Sequence, residues 1–168
     1  MSSQQLIRWG GLAAMLAGAL RTAASLLPPA DPGVALEILY LAIDVLLLFG
    51  ILGIYAFQHD RIGWSGFVGF VLAVIGLTIL AGPDGTIGVV NTYALGSLSV
   101  GIGLVFLAVA SWAARTLPRW VATLWVLSTV LGILGAAAGL QSLFVVTGVT
   151  LGLGFVGAGA RVWSRSPG

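Results

Sequence analysis

Three ionisable side chains, Arg21, Glu37 and Asp44, fall inside long apolar runs rather than in the polar breaks between them. Charges at membrane depth are costly, so such groups turn toward a bundle interior or a wet cavity and pair with one another. Arg21 stands near the end of the first run, about 9 Å inside it at the helical rise per residue. Glu37 and Asp44 stand about 5 and 15 Å into the second run, so Arg21 falls between them in depth. The two carboxylates are two helical turns apart with Tyr40 between them, which puts all three side chains on one helix face. An arginine fork can hold one carboxylate and still offer a donor to the other or to the Tyr40 hydroxyl. Three kinds of chemistry are open to this trio: an ion pair fixing the first two helices, a proton or cation site at Asp44, or capture of an anion by Arg21. Direct contact of Arg21 with Asp44 or Glu37 is expected. Asn91, Tyr93 and Gln141 are expected near the same membrane face, either lining a cavity or capping helix ends.

Little else in the chain points to catalysis. Cysteine is absent, histidine occurs once and methionine twice, which removes thiolate chemistry and a bis-histidine haem within one chain. The neighbours His59 and Asp60 lack a nucleophile or a second acid at their face. Ser97, Ser99, Ser128 and Thr129 match no hydrolase motif and are read as hydrogen-bonding within or between helices. No catalytic residue, metal ligand or cofactor is assigned, and the chain is not expected to be an enzyme.

Composition dictates the secondary structure around these groups. Hydrophobic residues make up 59% of the 168 and charged residues 7%, with a mean hydropathy of +1.11. A soluble domain carries about 25% charged residues, whereas a spanning helix needs about 20 mostly apolar ones. Proline, glycine and charge break the chain into six apolar runs, at 6–27, 34–57, 62–81, 89–114, 120–138 and 143–163. The breaks are Pro28 to Gly33, Gln58 to Arg61, Gly82 to Gly85, Arg115 to Arg119, and Gly139 to Ser142. The predicted fold is all-α, a single polytopic transmembrane bundle of six spans with both termini cytoplasmic. The first run carries a basic residue, Arg8, before its longest apolar stretch, as a signal peptide does, but Arg21 interrupts it, and it is read as retained.

Orientation comes from the arginines. Arg8, Arg61, Arg115, Arg119, Arg161 and Arg165 fall in alternate breaks and at the ends, while the breaks holding Asp31 and Asp84 contain none. Positive charge is retained on the cytoplasmic side of short loops, which sets both termini inside. Trp9, Trp64, Trp112, Trp120 and Trp163 accompany these arginines and are read with them as interfacial anchors. All seven Lys+Arg residues are dispersed arginines, not the basic stripe of a nucleic-acid binder. Small residues, among them Gly10, Ala14 and Gly18 in the first run and Gly63, Gly66 and Gly69 in the third, recur at helical spacing and permit close packing within the chain.

The opening Arg8-Trp9-Gly10-Gly11-Leu12-Ala13 and the turn Leu117-Pro118-Arg119-Trp120 resemble those of small uncharacterised bacterial polytopic membrane proteins. That resemblance implies the bacterial inner membrane and no particular activity. With short breaks and no cofactor site, the expected function is that of an accessory or structural subunit of a membrane assembly. Its partners would be the lipid bilayer and either other subunits or further copies of itself. The alternatives are a small proton-coupled transporter or ligand-binding protein using Arg21, Glu37 and Asp44, and, last, an intramembrane enzyme.

Overall fold

The computed structural model describes residues 3–27, 33–82, 85–87 and 90–165. Five helices follow in order: α1 (Ser3–Ser25), α2 (Val34–Leu80), α3 (Thr92–Ala114), α4 (Arg119–Ala138) and α5 (Gln141–Arg165). Between α2 and α3 the strands β1 (Thr86–Ile87) and β2 (Val90–Asn91) pair antiparallel, a two-residue ladder that the apolar periodicity does not announce. The breaks expected at Pro28 to Gly33 and Gly82 to Gly85 lie partly outside the described residues.

The expectation of six spans is overturned. Among the described residues, four of the five helices, α2 to α5, are long and apolar enough to cross a membrane, which fits a membrane protein. The second and third apolar runs belong to one element of 47 residues, because Gln58 to Arg61, read as a turn, continues the helix. None of those four residues is a strong helix breaker, so their polarity alone does not end the hydrogen-bond ladder. Helix α1 is not among the four. It carries Arg8 and Arg21 and is built largely of small residues, with Ala14 and Ala17 fully buried between neighbouring helices.

Helix α2 is not straight. Gly63 has φ 55° and ψ −160°, a backbone region essentially restricted to glycine. The rings of Tyr55 and Phe70, on either side of it, stack with centroids 4.1 Å apart. On a straight helix these residues would be separated by about 22 Å of axial rise. The two arms of α2 therefore fold back on each other at Gly63.

Each arm packs on a different partner through glycine. On the first arm, a Cβ added at Gly53 would lie 2.6 Å from the Cα of Gly10, and one at Gly50 would lie 2.8 Å from the Cα of Ala14. On the second arm, a Cβ at Gly69 would lie 2.7 Å from the Gly103 carbonyl oxygen of α3. Helix α5 closes on α1 through Gly11, Gly148 and Gly159 and on α4 through Gly154, which accepts the ring of Trp125. Such backbone approach replaces the hydrophobic driving force that lipid does not supply. Polar bonds cross between helices as well, among them Ser99 Oγ donating to the Leu72 carbonyl at 2.8 Å and Thr129 Oγ1 to the Gly101 carbonyl at 3.1 Å. Large apolar side chains such as Phe49, Trp64, Val109 and Ile133 remain on the outside, where a soluble protein would not leave so many.

Caps mark the remaining ends. Asn91 accepts from the Ala94 N–H at 3.1 Å at the start of α3. Gly139 (φ 65°) closes α4 in the left-handed conformation, the usual way a helix stops.

Substituting Gly63→Ala forces a side chain into the bend and should lower the unfolding free energy in mixed micelles by about 1–3 kcal/mol. Gly85→Ala, whose added Cβ meets no atom within 4 Å, should leave it nearly unchanged. Equal responses would show that the bend does not depend on the Gly63 backbone.

Candidate functional site

The charge cluster expected near the outer end is only partly assembled: Arg21 meets Tyr40 and acts on Asp44, while Glu37 is exposed and no direct ion pair forms among the described residues. Arg21 is half-buried on α1, and no Arg21–carboxylate ion pair forms among the described residues, where the one pair within 4.0 Å joins His59 Nε2 to Asp60 Oδ1 at 3.0 Å. Instead the Arg21 guanidinium stands over Tyr40, with Cζ 5.6 Å from the ring centroid. The expected direct contact is thus replaced by a cation–π approach, which needs no carboxylate to turn inward. Glu37 is exposed in the first turn of α2, where a negative charge complements the helix dipole. Asp44 is half-buried two turns further on, and Arg21 is the charge that acts on it. Asn91 is occupied as the α3 cap, while Tyr93 and Gln141 are exposed at the starts of α3 and α5. None of these three bonds to Arg21 among the described residues.

At the opposite end the helices bring together what the sequence reading treated as separate anchors. A cavity of about 420 Å³ is lined by Arg61 of α2, Arg115 and Thr116 of the α3–α4 turn, and Arg161 and Arg165 of α5, with Phe57, Gln58 and Asp60. Four arginines and one acidic residue, Asp60, thus line it; Arg61, Arg115 and Arg165 are exposed, Arg161 is half-buried, and Asp60 is engaged by His59. Arg161 Nε is buried without a hydrogen-bond partner among the described residues. The start of α1 reaches the same end of α5, since Arg8 Cζ lies 4.2 Å from the centroid of the Trp163 ring.

Behind the arginines lies a polar anchor. Gln58 is 1% exposed, and its Oε1 accepts from Ser111 Oγ at 2.9 Å and Thr116 Oγ1 at 2.6 Å. The first arm of α2 is thereby tied to the end of α3 and the turn after it. Sequence reasoning missed this constellation because it assigned Gln58 to a turn and left Ser111 and Thr116 unremarked.

Arg115 bears a mark of the site in its backbone. It ends α3 with φ 54° and is the one non-glycine residue at positive φ among those described. Glycine is the usual residue at that place in a helix ending, since a side chain there costs about 1–2 kcal/mol. Keeping an arginine on such a backbone makes sense where its side chain is needed.

Comparison with protein-family models, characterised proteins and solved structures gives no match. The site therefore rests on its own geometry.

Relief of backbone strain makes one outcome specific. Arg115→Gly should raise stability by up to about 1 kcal/mol, after the extra freedom of glycine in the unfolded chain is discounted. Arg115→Ala keeps the strained Cβ and should bring no such gain in the same unfolding measurement. A glycine variant no more stable than the alanine one would remove the argument that Arg115 is held against its backbone preference.

Proposed function

We propose that this chain is a multi-pass membrane protein that binds an anionic small ligand at its arginine-rich end. The observation that carries this reading is the convergence of Arg61, Arg115, Arg161 and Arg165 on one cavity, opposed only by Asp60 among its lining residues. Guanidiniums grouped without matching carboxylates repel one another, and an anion relieves that repulsion while accepting charge-assisted hydrogen bonds. Ligand binding thus stands ahead of the accessory-subunit role. It also moves the site away from Arg21, Glu37 and Asp44.

The arginine-rich end is taken as cytoplasmic on the positive-inside rule, which sets the Arg8 end of α1 and the Arg165 end of α5 on that side. The bacterial inner membrane is the location proposed with it. Arginine-for-lysine usage and the apolar, glycine-rich helices support that placement.

Inorganic phosphate titrated against the protein in neutral-lipid nanodiscs should raise its melting temperature. Arg115→Gln or Arg161→Gln should weaken the apparent affinity about tenfold, the loss of one hydrogen-bonded charge. Arg119→Gln, outside the cavity lining, should leave it unchanged. In sealed vesicles, protection should require phosphate on the face where a cysteine placed at Ser3 is labelled, and in intact cells that cysteine should resist an impermeant reagent. Indifference of the native protein to phosphate would return the accessory-subunit reading to first place, and external labelling of Ser3→Cys would invert the orientation.

A further inference from the structure

We infer that the ligand of this cavity is a phosphate monoester and that the Gln58 side-chain amide donates a hydrogen bond to one of its oxygens. The inference rests on the anion-binding reading above and names the ligand class within it. Its independent support is Gln58. Two hydroxyls, from Ser111 and Thr116, donate to its Oε1. Its Nε2 is buried and has no partner among the described residues, while the residue as a whole is 1% exposed and lines the cavity. Buried donors normally find acceptors. Gln58 lines the cavity, so an oxygen seated there is the acceptor assigned to its Nε2.

Charge and shape narrow the class. A halide offers no directed acceptors to an amide and several planar forks. A simple carboxylate brings one negative charge to four guanidiniums and one opposing acid. A phosphate monoester brings a charge of about −1.5 to −2 and three terminal oxygens, which forks from three separate segments and the Gln58 amide can share. The cavity, at about 420 Å³, lies within the usual range of about 300–1,000 Å³ for small-molecule sites. It leaves room for the esterified group beside the phosphate. Soluble phosphate esters and the headgroup of phosphatidate share this chemistry, and both are found at a membrane face.

The test uses the full chain in phosphatidylcholine nanodiscs, with phenyl phosphate as the soluble probe and phosphatidate added to the bilayer as the lipid probe. Gln58→Glu keeps an acceptor for Ser111 and Thr116 but replaces the amide N–H with a second carboxylate oxygen. It should cost at least about tenfold in affinity for whichever probe binds. Stabilisation by phenyl phosphate identifies a soluble ester, and stabilisation confined to phosphatidate identifies the lipid; either result supports the class. Acetate binding as tightly as the phosphate probes would overturn it. If Gln58→Glu binds like the native chain while Arg115→Gln does not, the role of Gln58 fails and the anion site stands. If the native chain binds neither probe nor inorganic phosphate, both readings fail together. Should the glutamate variant not fold, the Gln58 amide resonances of the nitrogen-labelled native protein decide: they must shift with the saturation curve of the probe, and unmoved resonances overturn the contact.

Discussion

Arg61 reaches the cavity that holds Arg115 and Arg161 because α2 turns back on itself beside it, at Gly63, and the rest of the structure depends on that reversal. Without it the second arm would run on past the arginine-rich end, away from α3. With it, Tyr55 and Phe70 stack, the first arm lies on α1, and the second lies on α3. The backbone at Gly63 is one that a side chain opposes, so one residue type at one place governs where four segments meet.

The reversal holds because both arms have partners they can approach closely. In lipid, apolar side chains gain little from leaving lipid for each other, so contact comes from fit and a few polar bonds. The Gly10–Gly53 and Gly69–Gly103 approaches leave no room for even a methyl group. The Gln58 bonds to Ser111 and Thr116 tie the same region from its polar side. Helix α1 shows what this mode of packing does to sequence. Its interior faces are made of Gly10, Gly11, Ala14, Ala17 and Gly18, small residues that pack well yet add little hydropathy. Even with its central role, it falls below the apolar content of the other four helices.

Much of the helical content was legible from apolar runs and their breaks, and composition alone pointed to the membrane. The break expected between the second and third apolar runs exists, but at Gly63 rather than at Gln58 to Arg61. Gly63 is one of 25 glycines, and nothing local distinguishes a glycine that bends a helix from one that admits a neighbour. Gln58 to Arg61 looked like a turn because they are polar, yet helices end through backbone conformation and capping rather than polarity. Arg21 was matched to the wrong kind of partner for a related reason. Depth and face permitted Asp44, Glu37 or Tyr40, and the aromatic ring accepts the cation while leaving Glu37 at the helix start. That the arginines of the cavity share one membrane face was legible from their spacing, but the cavity itself was not, since it joins segments far apart in the chain. Its one local trace was Arg115 at a helix ending that favours glycine, visible only once the backbone is known.

The reversal of α2 is therefore the point at which the account is most exposed. Ring-to-ring NOEs between Tyr55 and Phe70, measured on protein with selectively labelled aromatic residues in detergent or nanodiscs, test it directly. The stacked geometry, with centroids 4.1 Å apart, predicts a strong cross-peak that disappears in Phe70→Leu. A continuous helix would hold the two rings about 22 Å apart. Absence of the cross-peak in a folded native sample would contradict the reversal, and with it the gathering of Arg61, Arg115, Arg161 and Arg165 into one site.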